Sequence, residues 1–278
     1  MTPRSELPRL GIHEGIDERL YHADPLSISS SSAKTLLYDG PAEYRRQKEN
    51  PERRDSFDFG SVVHALVLGV GEYEVLDFPD WRKKEAREAR DEVRARGVAP
   101  IIPRDMEKAE AMRDAVFEHE TALGLLATGR PEVSLWATDP ATGVPMRGRI
   151  DWLRGGTNTD LKTTSGLPWA EAFTGTVLRF GYGFQAAFYM RLLWLNGVNP
   201  LPPKWIVVSK RPPFQVEVLQ PAQDLIEHSM GEVDRALALY AQCREADEWP
   251  PLQDHNQLDY IAHARTVEAV SPQEVVPY

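Results

Sequence analysis

From residue 103 to 127 the apolar side chains return every three or four positions. Met106, Ala109, Met112, Val116 and Phe117 form the stripe, which predicts one amphipathic helix with Gly124 near its end. After Pro131 the period changes to two. PEVSLWAT alternates and predicts a strand, TDPATG a turn, VPMRGRIDWLR a second strand and NTDLKTT a third, with Gly155-Gly156 between the last two. Upstream, SISSSSAKTLLYDG opens on serines and turns apolar at helical spacing. One of the serines at 29–32 is expected to cap a helix that Gly40-Pro41 stops. FDFGSVVHALVLGVGEY predicts a short buried helix with Gly60 and His64 on one face, the glycine letting the helix approach the sheet closely. Residues 81–96 are charged almost all round and predict a solvated helix. Further on, helices are expected from about Trp169 and over FQAAFYMRLLWLNG, the second ended by Asn196-Gly197. KWIVVSKRP predicts a strand, FQVEVLQ its partner, and residues 221–247 a long amphipathic helix; residues 249–278 are Pro-rich and polar. This order predicts an α/β fold with a small central mixed β-sheet flanked by helices.

Composition narrows the classes. The single cysteine, Cys243, excludes an internal disulfide and any four-cysteine zinc or iron–sulfur site, and it suits a reducing cytoplasm. No apolar run has the length of a membrane span and MTPRSELPRLGIHEG has no signal-peptide core, so a cytoplasmic protein without membrane contact is expected. A net charge of −10 argues against a general nucleic-acid binder, yet residues 44–54 and 81–96 are locally basic and offer candidate walls for a DNA channel. Neither a Gly-rich phosphate loop nor a Gly-x-Ser-x-Gly elbow occurs, so an ATP motor and a serine hydrolase are not expected.

The candidate chemistry lies in residues 147–164. In a strand Asp160 and Lys162 share one face while Leu161 points the other way. Antiparallel pairing with the preceding strand would bring Asp151 close to Asp160. Two neighbouring carboxylates repel each other, and a divalent cation removes that repulsion. A lysine beside such a cation can orient a water or neutralise charge in a phosphoryl transition state, which is the chemistry of phosphodiester hydrolysis. The same residues also fit a surface ion pair, with Arg147 and Arg149 as partners for Asp151. His64 on an apolar helix also fits a hydrogen-bonded core residue.

IDWLRGGTNTDLKTT resembles the core of the PD-(D/E)xK nuclease superfamily, in which an Asp and then an acidic-x-Lys on the next strand form the active centre. FGSVVHALVLG is similar to the Gly-x-x-x-His helix of its RecB-like branch, and FQAAFYMRL to that branch's Gln-x-x-x-Tyr helix, with Gln185 and Tyr189 matching. YHADPLSISSSSAKTLLYDGPAEYRR and PEVSLWATDPATGVPMRGRID resemble the RecE-like (exonuclease VIII-type) nuclease domain. Ile150 stands where the superfamily name has proline, a loose position. The resemblance sets the expected boundaries: an N-terminal extension over 1–20, a nuclease domain over 21–250, and an arm or tail over 251–278. It implies His64, Asp151, Asp160 and the Leu161 carbonyl as ligands of Mg²⁺, with Mn²⁺ the alternative. Lys162 would be the catalytic lysine beside His64, Asp151 and Asp160. Glu132, Gln185, Tyr189 and Ser30 would support the site or touch DNA. The implied activity is 5′ to 3′ degradation of one strand of linear duplex DNA, leaving 3′ overhangs for recombination. The implied partners are double-stranded DNA ends, a RecT-like single-strand annealing protein, and further copies of the chain in a ring-shaped homo-oligomer. The alternatives are a Cas4-like or restriction-type nuclease and a non-catalytic DNA-binding protein.

Overall fold

The computed structural model describes residues 10–50, 56–252 and 267–271. The chain enters through β1 (Gly11–His13) and α1 (Glu18–Ala23), whose N-cap Asp17 accepts from the Arg19 and Leu20 amides. β2 (Ile28–Ser29) leads into α2 (Ser30–Tyr38), where Ser29 Oγ accepts from the Ser32 amide at 3.3 Å and so caps the helix. Gly40 and Pro41 also start α3 (Pro41–Glu49), with proline in the first turn, where a missing N–H does no harm. α4 (Ser56–Leu68) carries His64. A small unit follows in which β3 (Tyr73–Val75) and β4 (Ala99–Ile101) pair in parallel around α5 (Lys84–Ala95).

The single helix expected over 103–127 is two, α6 (Pro103–Glu118) and α7 (Glu120–Leu126). They divide at His119, whose Nδ1 accepts from the Ala122 amide and caps the second helix. Ala109, Met112 and Val116 are buried as expected, but Phe117 is exposed. β5 (Arg130–Thr138), β6 (Pro145–Arg154) and β7 (Thr157–Thr164) form the expected meander. Asp139 shapes its first turn by accepting from both the amide and the hydroxyl of Thr142. Then come α8 (Ala170–Phe180) and α9 (Tyr182–Leu195), separated by Gly181 in the left-handed region, β8 (Lys204–Ser209), β9 (Val216–Pro221), α10 (Gln223–Ala246) and β10 (Val267–Ala269). β10 pairs with β9, so part of the segment expected as an arm or tail belongs to the sheet; residues 253–266 and 272–278 lie outside the described residues. Likewise β1, in the expected extension, pairs with β5.

The sheet runs β1-β5-β6-β7-β8-β9-β10, with β2 added against β6. Strand periodicity divides its faces. Leu161, Ile206, Val208 and Val218 pack with Val62 and Val63 of α4, Met112 of α6 and Leu125 of α7. Trp205, Val207 and Leu219 pack with Phe173 and Val177 of α8. Val133, Leu135 and Ile150 pack with Phe188 and Leu192 of α9, Leu36 of α2 and Leu237 of α10. Each such burial contributes about 1.5–3 kcal/mol. Among the described residues no helix is long and apolar enough to cross a membrane.

The sheet forks at β6. Met146 and Arg147 pair with Ile28 and Ser29 of β2, whereas Trp152, Leu153 and Arg154 pair with Thr159, Asn158 and Thr157 of β7. One step further, the register would set Asp151 opposite Asp160, but the ladder ends there. Instead the Asp151 carboxylate accepts from the Leu161 amide at 2.9 Å. On its other side, the pairs Pro131–Trp152 and Val133–Ile150 set Glu132 opposite Asp151, and Glu132 breaks the regular strand with φ 49°. Glu132, Asp151 and Asp160 therefore form a row across three strands at the point where the backbone pairing is interrupted.

Candidate active site

α4 packs on the Leu161 side of the sheet and brings His64 to Asp151 at the middle of this row. His64 Nε2 lies 2.8 Å from the Leu161 carbonyl, which can only accept, so Nε2 carries the proton. In a neutral imidazole this leaves the lone pair of Nδ1 facing Asp151 Oδ2 at 3.5 Å. Two acceptors held face to face are stabilised by a cation between them. Glu132 completes the group: one ligating atom each from His64, Glu132 and Asp151 lie within 4.8 Å of one another. Burial and the Asp160 charge push the Asp151 carboxyl up to about 6, against the pull that Lys162, and His64 when protonated, exert on it. Burial and the Asp151 charge push Glu132 up to about 7, against Arg149. An imidazole nitrogen and two carboxylates that resist ionising fit a divalent metal, which would satisfy all three.

Asp160 and Lys162 turn to the face covered by α9. Lys162 Nζ is ion-paired with Asp160 Oδ2 and donates to Gln185 Oε1 at 3.0 Å. Gln185 Nε2 donates to Asp160 Oδ1 at 3.2 Å and to the Tyr189 hydroxyl at 3.3 Å. A lysine only donates and a carboxylate only accepts, so this closed triangle admits one orientation of the Gln185 amide. Burial alone would lower the Lys162 pKa, but Asp160, Tyr182 and Asp151 together raise it. It is therefore an ammonium, suited to neutralising charge rather than to taking a proton. Burial raises the Tyr189 phenol well above its usual range and keeps it protonated.

Comparison with known proteins places this geometry. Residues 29–263 match the model of the PDDEXK-like domain of unknown function (DUF3799). The chain belongs to this family. A crystal structure of a provisionally named exonuclease from Eubacterium rectale aligns with the DUF3799 chain at a TM-score of 0.61 and 15% identity, covering 95% of this chain and 98% of that one. At that identity the likeness speaks for the fold alone, a mixed α/β fold with a central sheet flanked by helices, and the family description makes the domain PDDEXK-like. A phage related exonuclease from Haemophilus somnus 129PT covers 80% of this chain and 96% of its own at 13% identity, but with a TM-score of 0.33 it supports no argument. No curated protein matches.

The structure brings His64, Glu132, Asp151, Asp160, Leu161, Lys162, Gln185 and Tyr189 together at this fork in two groups. Glu132 stands with His64 and Asp151, while Asp160 is held by Lys162 and Gln185 and the Leu161 carbonyl by His64. Ser30 lies apart from these bonds; its buried Oγ has no hydrogen-bond partner among the described residues. Gly60 does not bring α4 close to the sheet: a Cβ there would have nothing within 4 Å. The basic runs are largely paired with their own neighbours, Arg45 with Glu49, Arg46 with Glu43, Arg94 with Asp58 and Arg96 with Glu74. Residues 51–54 of the first run lie outside the described residues. Sequence reasoning missed Gly148. A Cβ there would come within 2.6 Å of Leu192 Cδ1 and 2.9 Å of Tyr189 Cε1, so the glycine lets α9 lie directly on β6 and reach the fork. A glycine inside an alternating strand was the signal for such a close approach.

Proposed function

We propose that this protein is a divalent-metal-dependent DNA exonuclease of the RecE-like kind. The observation that carries the reading is the meeting, at one fork of the sheet, of the His64–Glu132–Asp151 group with the closed Asp160–Lys162–Gln185 triangle. His64, Glu132 and Asp151 would hold the ion, Mg²⁺ or Mn²⁺, with Asp160 on the adjoining strand. The ion, when bound, supplies Lewis-acid polarisation of a phosphodiester and a more acidic water. Lys162 offsets negative charge on the reacting phosphate, Gln185 fixes the direction of Lys162 and Asp160, and Tyr189 fixes Gln185. Resemblance to RecE-like nucleases supports the finer points. These are degradation from 5′ ends, 3′ overhangs passed to a RecT-like annealing protein, and a ring of copies around DNA. A ring also accounts for how a chain of net charge −10 stays on a polyanion, since enclosure replaces electrostatic affinity.

The test uses linear duplex DNA labelled at the 5′ or the 3′ end, and a closed circle, with Mg²⁺, Mn²⁺ or EDTA. Loss from 5′ ends that spares the circle and stops in EDTA is the expected result. Lys162→Ala should lower the rate about 10²- to 10⁴-fold while leaving metal binding intact. Asp151→Asn, which keeps an oxygen for the Leu161 amide, should abolish metal binding. Undiminished cleavage in EDTA, or none on any substrate, overturns the reading. A monomeric mass by light scattering removes the ring.

A further inference from the structure

Gly181, at φ 60° and ψ 45°, turns the chain between α8 and α9 and sets an aromatic ring on either side of itself. Phe180 is 51% exposed. Its ring stacks on Tyr182 at 5.9 Å between centroids and an interplanar angle of 20°. The Tyr182 ring in turn receives Lys162 Nζ at 4.3 Å from its centroid. The exposed ring thus stands at most about 10 Å from the ammonium at the active site.

This stack is held in place. Lys34 of α2 donates from Nζ to the Phe180 carbonyl at 2.8 Å. A Cβ on Gly181 would come within 3.0 Å of Lys34 Cδ and 3.2 Å of Tyr38 Cε2, so a side chain at this left-handed position would be both strained and crowded. Arg179 holds its guanidinium 5.5 Å from the Phe180 centroid. The arrangement is a ring half open to solvent, stacked on Tyr182, with the Arg179 guanidinium over it. It suits a flat ring with an anion attached. A DNA strand advances about 3.4 Å per nucleotide, so a strand with one phosphate at Lys162 carries bases to Phe180 within about three steps. Inside a duplex both faces of a base are covered by its neighbours; an unpaired base has a face free to stack.

We propose that Phe180, backed by Tyr182, is the platform on which an unpaired nucleobase of the bound DNA strand stacks, and that it makes the protein favour ends with unpaired bases. The proposal rests on the nuclease reading for the identity of its ligand and adds a base contact that the metal-binding group cannot supply.

The experiment titrates a single-stranded oligonucleotide carrying 2-aminopurine with the full chain in EDTA, so that binding is read without cleavage. Wild type should quench the fluorescence. Phe180→Ala and Phe180→Leu should lose the quenching and bind about 5- to 150-fold more weakly, the range that stacking on one aromatic side chain spans. Phe180→Tyr should restore both. With metal present, Phe180→Leu should raise KM more for ends with unpaired bases than for fully paired ends, with kcat little changed. Quenching and affinity equal to wild type in Phe180→Leu overturn the proposal, as does the absence of quenching in wild type. If Mg²⁺-dependent cleavage persists while Phe180 has no effect, the stacking fails and the nuclease reading stands. If Phe180-dependent quenching occurs without cleavage under any metal, the platform stands and the nuclease reading fails.

Discussion

Glu132 and Asp151 are carboxyls held where ionisation is opposed, which makes them sensitive to pH and to metal together. Their folded pKa values, about 7 and about 6, lie above the ordinary carboxyl range near 4. Between about pH 4 and 7 the folded state therefore binds more protons than the unfolded one, and metal-free stability falls as pH rises through that window. A divalent ion held by the deprotonated pair, as proposed, would reverse the penalty. Thermal melts should show a falling Tm from pH 4 to 7 in EDTA and a Mn²⁺-induced rise that is larger at pH 8 than at pH 5.5. Glu132→Gln should flatten the slope; an ion effect equal at both pH values would sink this account of the pair. Gly148 sets a second limit at the same scale. Gly148→Ala should destabilise by about 1–3 kcal/mol through overpacking against Tyr189 and Leu192 and, by displacing Gln185, lower activity beyond the loss of folded protein. Denaturant melts beside rates normalised to the folded fraction check it.

At the level of elements, the sharing of β6 between β2 and β7 makes the site, and it was the least legible feature. The meander could be read because Val133, Leu135 and Ile150 keep the two-residue period. The hairpin register, continued by one step, pointed to Asp151 beside Asp160, but the ladder stops at Trp152–Thr159 and Asp151 turns to the Leu161 amide. Which strand borders the rest of β6 is a long-range choice that no local pattern encodes, and β2 has two residues. The three-residue strands β1, β3, β4 and β10 are too short to show a period. His119 stops a helical stripe with a side chain outside the usual capping set, which hid the break between α6 and α7. Glu132 was expected from resemblance, but its place opposite Asp151 follows only from register. On α4, close packing was the wrong reason for Gly60. With open space around it, Gly60→Ala should stabilise the protein by about 0.5–1 kcal/mol through the lower backbone entropy of the unfolded chain. A lowered denaturation midpoint would show that the glycine backbone is required there.

For the molecule as a whole, the two interior strands β7 and β8 pair in parallel across a crossover that contains α8 and α9. One excursion of the chain therefore supplies Phe180, Tyr182, Gln185 and Tyr189 to the candidate site, whose acids come from the meander. Among the described residues the sheet ends on β1 at one side and β10 at the other, each three residues long. Such short margins offer few free N–H and C=O groups to a neighbouring chain. β10 covers Leu219, Gln220 and Pro221 of β9, whose ladder would otherwise lie open. A chain cut after residue 252 keeps every residue of the proposed site but presents that bare margin. It should self-associate beyond the state of the intact chain, with light scattering that grows more steeply with concentration than the intact chain's. Residues far from the chemistry would then act as a guard against aggregation.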